Sequence, residues 1–76
     1  MRLKKGFDTI IFLGAIEKCQ GDVIFRTLEG DRLNLKSILH RYVFCLIAKS
    51  PEIRENGQLE CSKEDAECLK EFIEEN

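Results

Sequence analysis

The stretch from Asp22 to Leu35 most constrains what this chain can fold into. Asp22-Val-Ile-Phe-Arg-Thr-Leu28 is rich in β-branched and aromatic residues, and Val23, Phe25 and Thr27 alternate with Ile24, Arg26 and Leu28. That period of two marks a strand with one face in a core. Glu29-Gly-Asp31 is a hairpin turn signal. Arg32 to Leu35 then returns as a second short strand, with Leu33 and Leu35 on one face.

Helical patterns flank this hairpin. Met1 to Phe7 is basic and reads as weakly structured. Asp8 or Thr9 can cap a first helix, because a short side-chain oxygen accepts the free amides of a first turn. Phe12, Ala15, Ile16 and Cys19 recur on one helical face, and Gly21 is placed to stop that helix in a left-handed conformation. Ser37 is the expected N-cap of a second helix. Tyr42-Val-Phe-Cys-Leu-Ile-Ala48 is apolar all round, so a helix there is buried or covered on its outer face by a partner; its β-branched content also permits a strand. Lys49-Ser-Pro51 ends it.

Residues 52–61 allow two readings. Asn56-Gly57 is a two-residue hairpin signal, with Glu-Ile-Arg-Glu and Gln-Leu-Glu-Cys as its arms; alternatively one strand crosses the stretch. Strand character is expected near Ile53 and Leu59. Ser62-Lys-Glu-Asp65 is a capping-box type of start, with Glu64, Asp65 and Glu67 at the positive end of the helix dipole. Cys68, Leu69, Phe72 and Ile73 form its buried stripe, and the helix is expected to run nearly to Asn76. Strands joined by a hairpin and covered by helices on one face predict an α+β open-faced sandwich. At 76 residues, the chain (1–76) is expected to be a single domain.

Composition narrows the function classes. The chain is 43% hydrophobic and 34% charged with a formal net charge of -2, which disfavours a nucleic-acid surface. No apolar run approaches the length of a bilayer span, and the basic Met1 to Lys5 segment lacks a following small-residue cleavage site. A cytoplasmic location is therefore expected, with no membrane partner. Cys19, Cys45, Cys61 and Cys68 form no C-x-x-C pair. They are expected to be reduced packing residues rather than zinc ligands or disulfides, so neither metal nor cofactor is expected.

Arg32-Leu-Asn-Leu-Lys-Ser-Ile-Leu39, following its glycine turn, resembles the middle of the phosphocarrier HPr family of the sugar phosphotransferase system. There a short strand ending in N-x-K-S-I/L runs directly into a short helix. The acidic segment Leu69-Lys-Glu-Phe-Ile-Glu-Glu75 also fits, and the similarity covers about Ile10 to Glu75. The resemblance implies an HPr-like open-faced sandwich, its antiparallel sheet covered on one face by three helices, in the order β-α-β-β-α-β-α. The first edge strand, which in the family lies next to the last strand, is expected to be missing here. That would leave an edge open to a second chain.

The departures decide what the resemblance implies for function. The family's phosphorylatable histidine sits in a G-x-H-A-R-P loop; counting back from Gly21-Asp22, its position falls near Lys5. Leu3-Lys-Lys-Gly-Phe-Asp8 contains no histidine, and a protonated lysine cannot act as the nucleophilic nitrogen of a phosphoryl relay. The family's regulatory serine corresponds to Ser37. A phosphate there would meet a helix N-terminus, with Lys36, His40 and Arg41 as neighbouring cations; the plain alternative is a capping serine. The resemblance also makes the helix from Ser37 to Ala48 the partner-docking face, carrying Leu39, Tyr42, Val43, Leu46 and Ile47. The expected function is a non-catalytic, HPr-like regulatory or protein-interaction domain, with a serine kinase and a docking protein as partners. Two rivals stand beside it: a phosphocarrier using His40 in place of the lost histidine, and a structural module that forms a homodimer.

Overall fold

The computed structural model describes residues 1–74. Its elements, in chain order, are β1 (Arg2–Leu3), α1 (Thr9–Glu17), β2 (Ile24–Arg26), β3 (Arg32–Asn34), α2 (Ile38–Ile47), α3 (Pro51–Asn56), β4 (Gln58–Glu60), α4 (Lys63–Cys68) and β5 (Ile73–Glu74). This is an α+β fold with two antiparallel sheets.

The expected hairpin forms the larger sheet. β2 lies in the middle, antiparallel to β3 on one side and β4 on the other, so that Phe25 stands opposite both Leu33 and Leu59. The turn closes through the Thr27 N–H donating to the Asp31 carbonyl at 3.0 Å and the Gly30 N–H donating to the Thr27 carbonyl at 3.1 Å. Gly30 takes φ +96°, a conformation that glycine adopts without the steric cost of a Cβ.

The N-terminal segment corrects one expectation. Met1 to Phe7, read as weakly structured with no first strand, contains β1: Arg2 pairs with Glu74 and Leu3 with Ile73 in a second, two-stranded sheet. The Lys4 N–H donates to the Phe72 carbonyl at 2.8 Å, and the Leu59 N–H donates to the Met1 carbonyl, also at 2.8 Å. The latter bond brings β1 alongside β4. Burial of Leu3, only 3% exposed, accompanies this pairing. A two-residue strand leaves no periodic signal in a sequence.

Two further segments differ from the reading by pattern. Residues 52–55 are helical rather than strand-like. Ser50 Oγ caps α3 by accepting the Ile53 N–H, and Pro51 occupies its first turn, where a missing N–H costs nothing. Gly57 then follows the helix as its cap instead of forming a hairpin turn, and strand character appears at Leu59 but not at Ile53. At the C-terminal end, α4 stops at Cys68 and the chain re-extends as β5; the last residues of the expected long helix, Glu75 and Asn76, lie outside the described residues. The expected helical stripe is not formed: Cys68, its one member within α4, is exposed, while Leu69 and Ile73 are buried and Phe72 half-buried beyond the helix end.

The caps of α1 and α4 follow the sequence. Asp8 accepts the Ile10 and Ile11 N–H groups at 2.9 and 3.1 Å, and Ser62 Oγ accepts the Asp65 N–H at 3.2 Å. Gly21 does not stop α1: the helix ends at Glu17, with Lys18 in a right-handed conformation. A Cβ added at position 21 would lie 3.3 Å from Asp65 Oδ2, a tight approach.

The core is organised by the phenylalanines. Phe12 meets Phe7, Phe44 and Phe72 with ring centroids 5.4, 5.8 and 5.5 Å apart, and Phe44 meets Phe25 at 5.1 Å. All five phenylalanines of the chain thus form one connected set, within the range where aromatic pairs attract beyond simple burial. α1 contributes Phe12 and Ile16, α2 contributes Phe44, and the sheet contributes Phe25, Leu33 and Leu59.

Candidate docking and phosphorylation site on α2

The site begins where β3 hands over to α2. Asn34 shapes that corner: its Oδ1 accepts the Lys36 N–H at 3.1 Å, and its carbonyl accepts the Ser37 N–H at 2.9 Å. Ser37 is consequently extended, at φ -85° and ψ 129°, which directs its Oγ at the first turn of α2. The His40 N–H donates to that Oγ at 3.5 Å. Ser37 is thus an N-cap, and it is half-buried.

The three neighbouring side chains are engaged by the fold. Lys36 Nζ donates to the carbonyls of Ile16, Glu17 and Cys19, at 3.2, 3.4 and 2.6 Å. It therefore closes the C-terminal end of α1, where carbonyls lack a full set of helical partners and the helix dipole favours a cation. Arg41 Nε donates to the Leu35 carbonyl at 2.8 Å, and its Nη1 meets Glu17 Oε1 at the same distance. Together the two side chains fasten α2 to the end of α1. His40 Nδ1 accepts the Asn34 N–H at 2.9 Å, so in the neutral ring the proton sits on Nε2.

Beyond Ser37, α2 turns an apolar face to solvent. Ile38, Leu39, Tyr42 and Leu46 are 82, 69, 69 and 58% exposed. They follow one another at helical spacing on the side opposite the buried Phe44. Val43 and Ile47 are half-buried and pack against the core, so they border this face rather than stand on it. Ile38, the most exposed of the set, was not among the residues expected to dock; its i, i+4, i+8 spacing with Tyr42 and Leu46 is the signal that finds it.

Lys5 lies in the turn before α1. The carboxylate of Asp8 already occupies the first amides of that helix. The cysteines are all free thiols. Cys19 is buried, and burial, reinforced by the nearby Asp65 charge, pushes its thiol up to about 11. Burial, followed by the same carboxylate, also raises Cys61. Among the described residues no three His, Cys, Asp or Glu side chains converge as metal ligands, and no helix is long and apolar enough to cross a membrane. The chain matches no family model, no curated protein and no solved structure.

Proposed function

We propose that this chain is a non-catalytic, HPr-like regulatory or protein-interaction domain. A protein partner docks on the outer face of α2, and phosphorylation of Ser37 by a serine kinase controls the contact. The observation that carries this reading is the adjacency of Ser37, the N-cap of α2, to the solvent-facing Ile38, Leu39, Tyr42 and Leu46. A phosphate on Ser37 would join the first-turn amides of α2, where an anion is favoured, at the border of an apolar surface. Lys36 and Arg41 support the mechanism indirectly, by fixing α2 against α1 rather than by pairing with the phosphate.

The scaffold reading draws support from the order of elements, with α3 and β5 as additions, and from β1 lying alongside β4, the place the family gives its first strand. A cytoplasmic location belongs to the same reading. The rival phosphocarrier role for His40 is weakened by the bond that Nδ1 already accepts from Asn34. The homodimer reading is favoured by the same exposed apolar face.

The test is phosphorylation of the purified chain with ATP and a serine kinase of the HPr-specific class. Modification at Ser37 that disappears in Ser37→Ala is expected. Acid-labile phosphate on His40, formed with phosphoenolpyruvate and Enzyme I, would overturn the proposal in favour of a carrier.

A further inference from the structure

Arg54 carries the one buried side-chain nitrogen without a partner among the described residues: its Nε is covered and makes no hydrogen bond. A covered guanidinium nitrogen left unmatched is unfavourable and calls for an explanation. Arg54 projects from α3, which packs beside β1, and it lines a narrow cleft of about 30 Å³ together with Lys4, Lys5, Gly6 and Glu55. Gly6, at φ +75°, turns the chain there. Both lysines are exposed, and neither joins any of the ion pairs among the described residues. The cleft is therefore walled by three cations and one carboxylate, an excess of two positive charges. On its other side Arg54 borders an open hollow that it shares with Lys49, which adds a further cation nearby.

Charge and size point to the same class of ligand. A water needs only about 10–15 Å³, so the cleft admits an oxygen of a small anion while the rest of that anion stays at the rim. An excess of two positive charges matches a dianion. Arginine suits an oxyanion because its planar donors pair with two oxygens at once, while lysines add mobile point charges. We propose that this cleft is an oxyanion site that takes a phosphate dianion on Lys4, Lys5 and Arg54. It lies before α1, at the opposite end of that helix from Lys36, and depends on neither Ser37 nor the outer face of α2.

Titration of the full, isotope-labelled chain with inorganic phosphate, and separately with O-phosphoserine, tests the site by amide chemical shifts. The experiment is run at constant ionic strength and mildly alkaline pH, with acetate as the control anion. Saturable shifts confined to the amides of residues 4–6 and 54–55 are expected, with binding roughly tenfold weaker in Lys5→Gln and in Arg54→Met. Tighter binding of phosphoserine than of phosphate assigns the anion to a phosphorylated side chain; equal or weaker binding assigns it to the free ion. Should Arg54→Met fail to fold, the Lys4→Gln/Lys5→Gln pair, altering only exposed side chains, gives the same reading. Shifts that never saturate, that acetate reproduces, or that persist unchanged in the lysine pair overturn the proposal.

Discussion

The carboxylate of Asp65 holds the backbone of Gly21: its Oδ2 accepts the Gly21 N–H at 2.9 Å, 44 positions away in the chain. Oδ1 takes the Gln20 N–H at the same distance. One side chain near the start of α4 thus satisfies both amides of the turn that leads from α1 into β2. These two bonds, Gln20 first and Gly21 second, hold the Asp65 carboxyl below its ordinary value of 3.8 against the opposing effect of burial.

Replacing Asp65 with Asn leaves one oxygen for two amides and removes the charge, so the urea midpoint should fall at neutral pH. The pH dependence has a defined sign. A carboxyl that is more acidic folded than unfolded contributes stability above 3.8, and that contribution is lost as pH falls through the lowered folded value. The gap between wild type and Asp65→Asn should therefore shrink over that acid window. A gap that stays constant to the acid limit would rule out the charge as its cause.

Gly57 is committed to glycine by Phe25. A Cβ at position 57 would overlap the Cε1–Cζ edge of the Phe25 ring and lie 3.1 Å from the Arg26 carbonyl. Phe25 cannot withdraw freely, because its ring packs edge-on against Phe44. Gly57→Ala should cost about 1–3 kcal/mol, the usual range for overpacking a core, measured by chemical denaturation. Combining it with Phe25→Leu should cost less than the two changes summed, since the second makes room for the first.

The thiols should react in order of exposure. Cys68 is exposed, Cys45 and Cys61 are half-buried, and Cys19 is buried with a thiol raised to about 11. A thiol-specific reagent at neutral pH, followed by mass spectrometry, should label Cys68 first and Cys19 only as the protein unfolds. Labelling of Cys19 at the rate of Cys68 would contradict the packing described for α1.

Substitutions on α2 should separate its two sides. Leu39→Ser and Leu46→Ser should shift stability by no more than about 0.5 kcal/mol, as at most exposed positions. Phe44→Ala should cost about 3–5 kcal/mol. Ser37→Ala should cost about 1 kcal/mol through the lost cap. Calorimetry on the three classes of variant gives the comparison directly.

Local chemistry made part of this fold legible. Asp8, Ser37 and Ser62 announce helix starts because each short side chain answers a need of the very next turn, and Gly30 marks a bend that its neighbours close. The alternation around Phe25 gives β2 its buried side. What escaped notice depends on partners far away in the chain. Arg2 and Leu3 become a strand only because Ile73 and Glu74 come to meet them. Asn56-Gly57 reads as a hairpin until Ser50 and Pro51 claim the preceding residues for a helix. The long C-terminal helix is cut short where Phe72 joins Phe12. Around Ser37, Lys36, His40 and Arg41 are close in the sequence, but their spacing does not reveal that α1, Leu35 and Asn34 engage them. The cleft at Arg54 draws on residues some fifty positions apart, a separation that no local pattern spans.

The pairing of Arg2–Leu3 with Ile73–Glu74 also has an engineering consequence. Entry and exit strands run side by side, so the unit can be spliced into a surface loop of another protein without forcing that loop apart. The same closeness permits Glu74 to be joined to Arg2 by a short linker and the chain reopened at the turn around Gly30. Such a permutant should retain β2 beside β4, whereas a graft attached at one end alone leaves the arrangement free to swing.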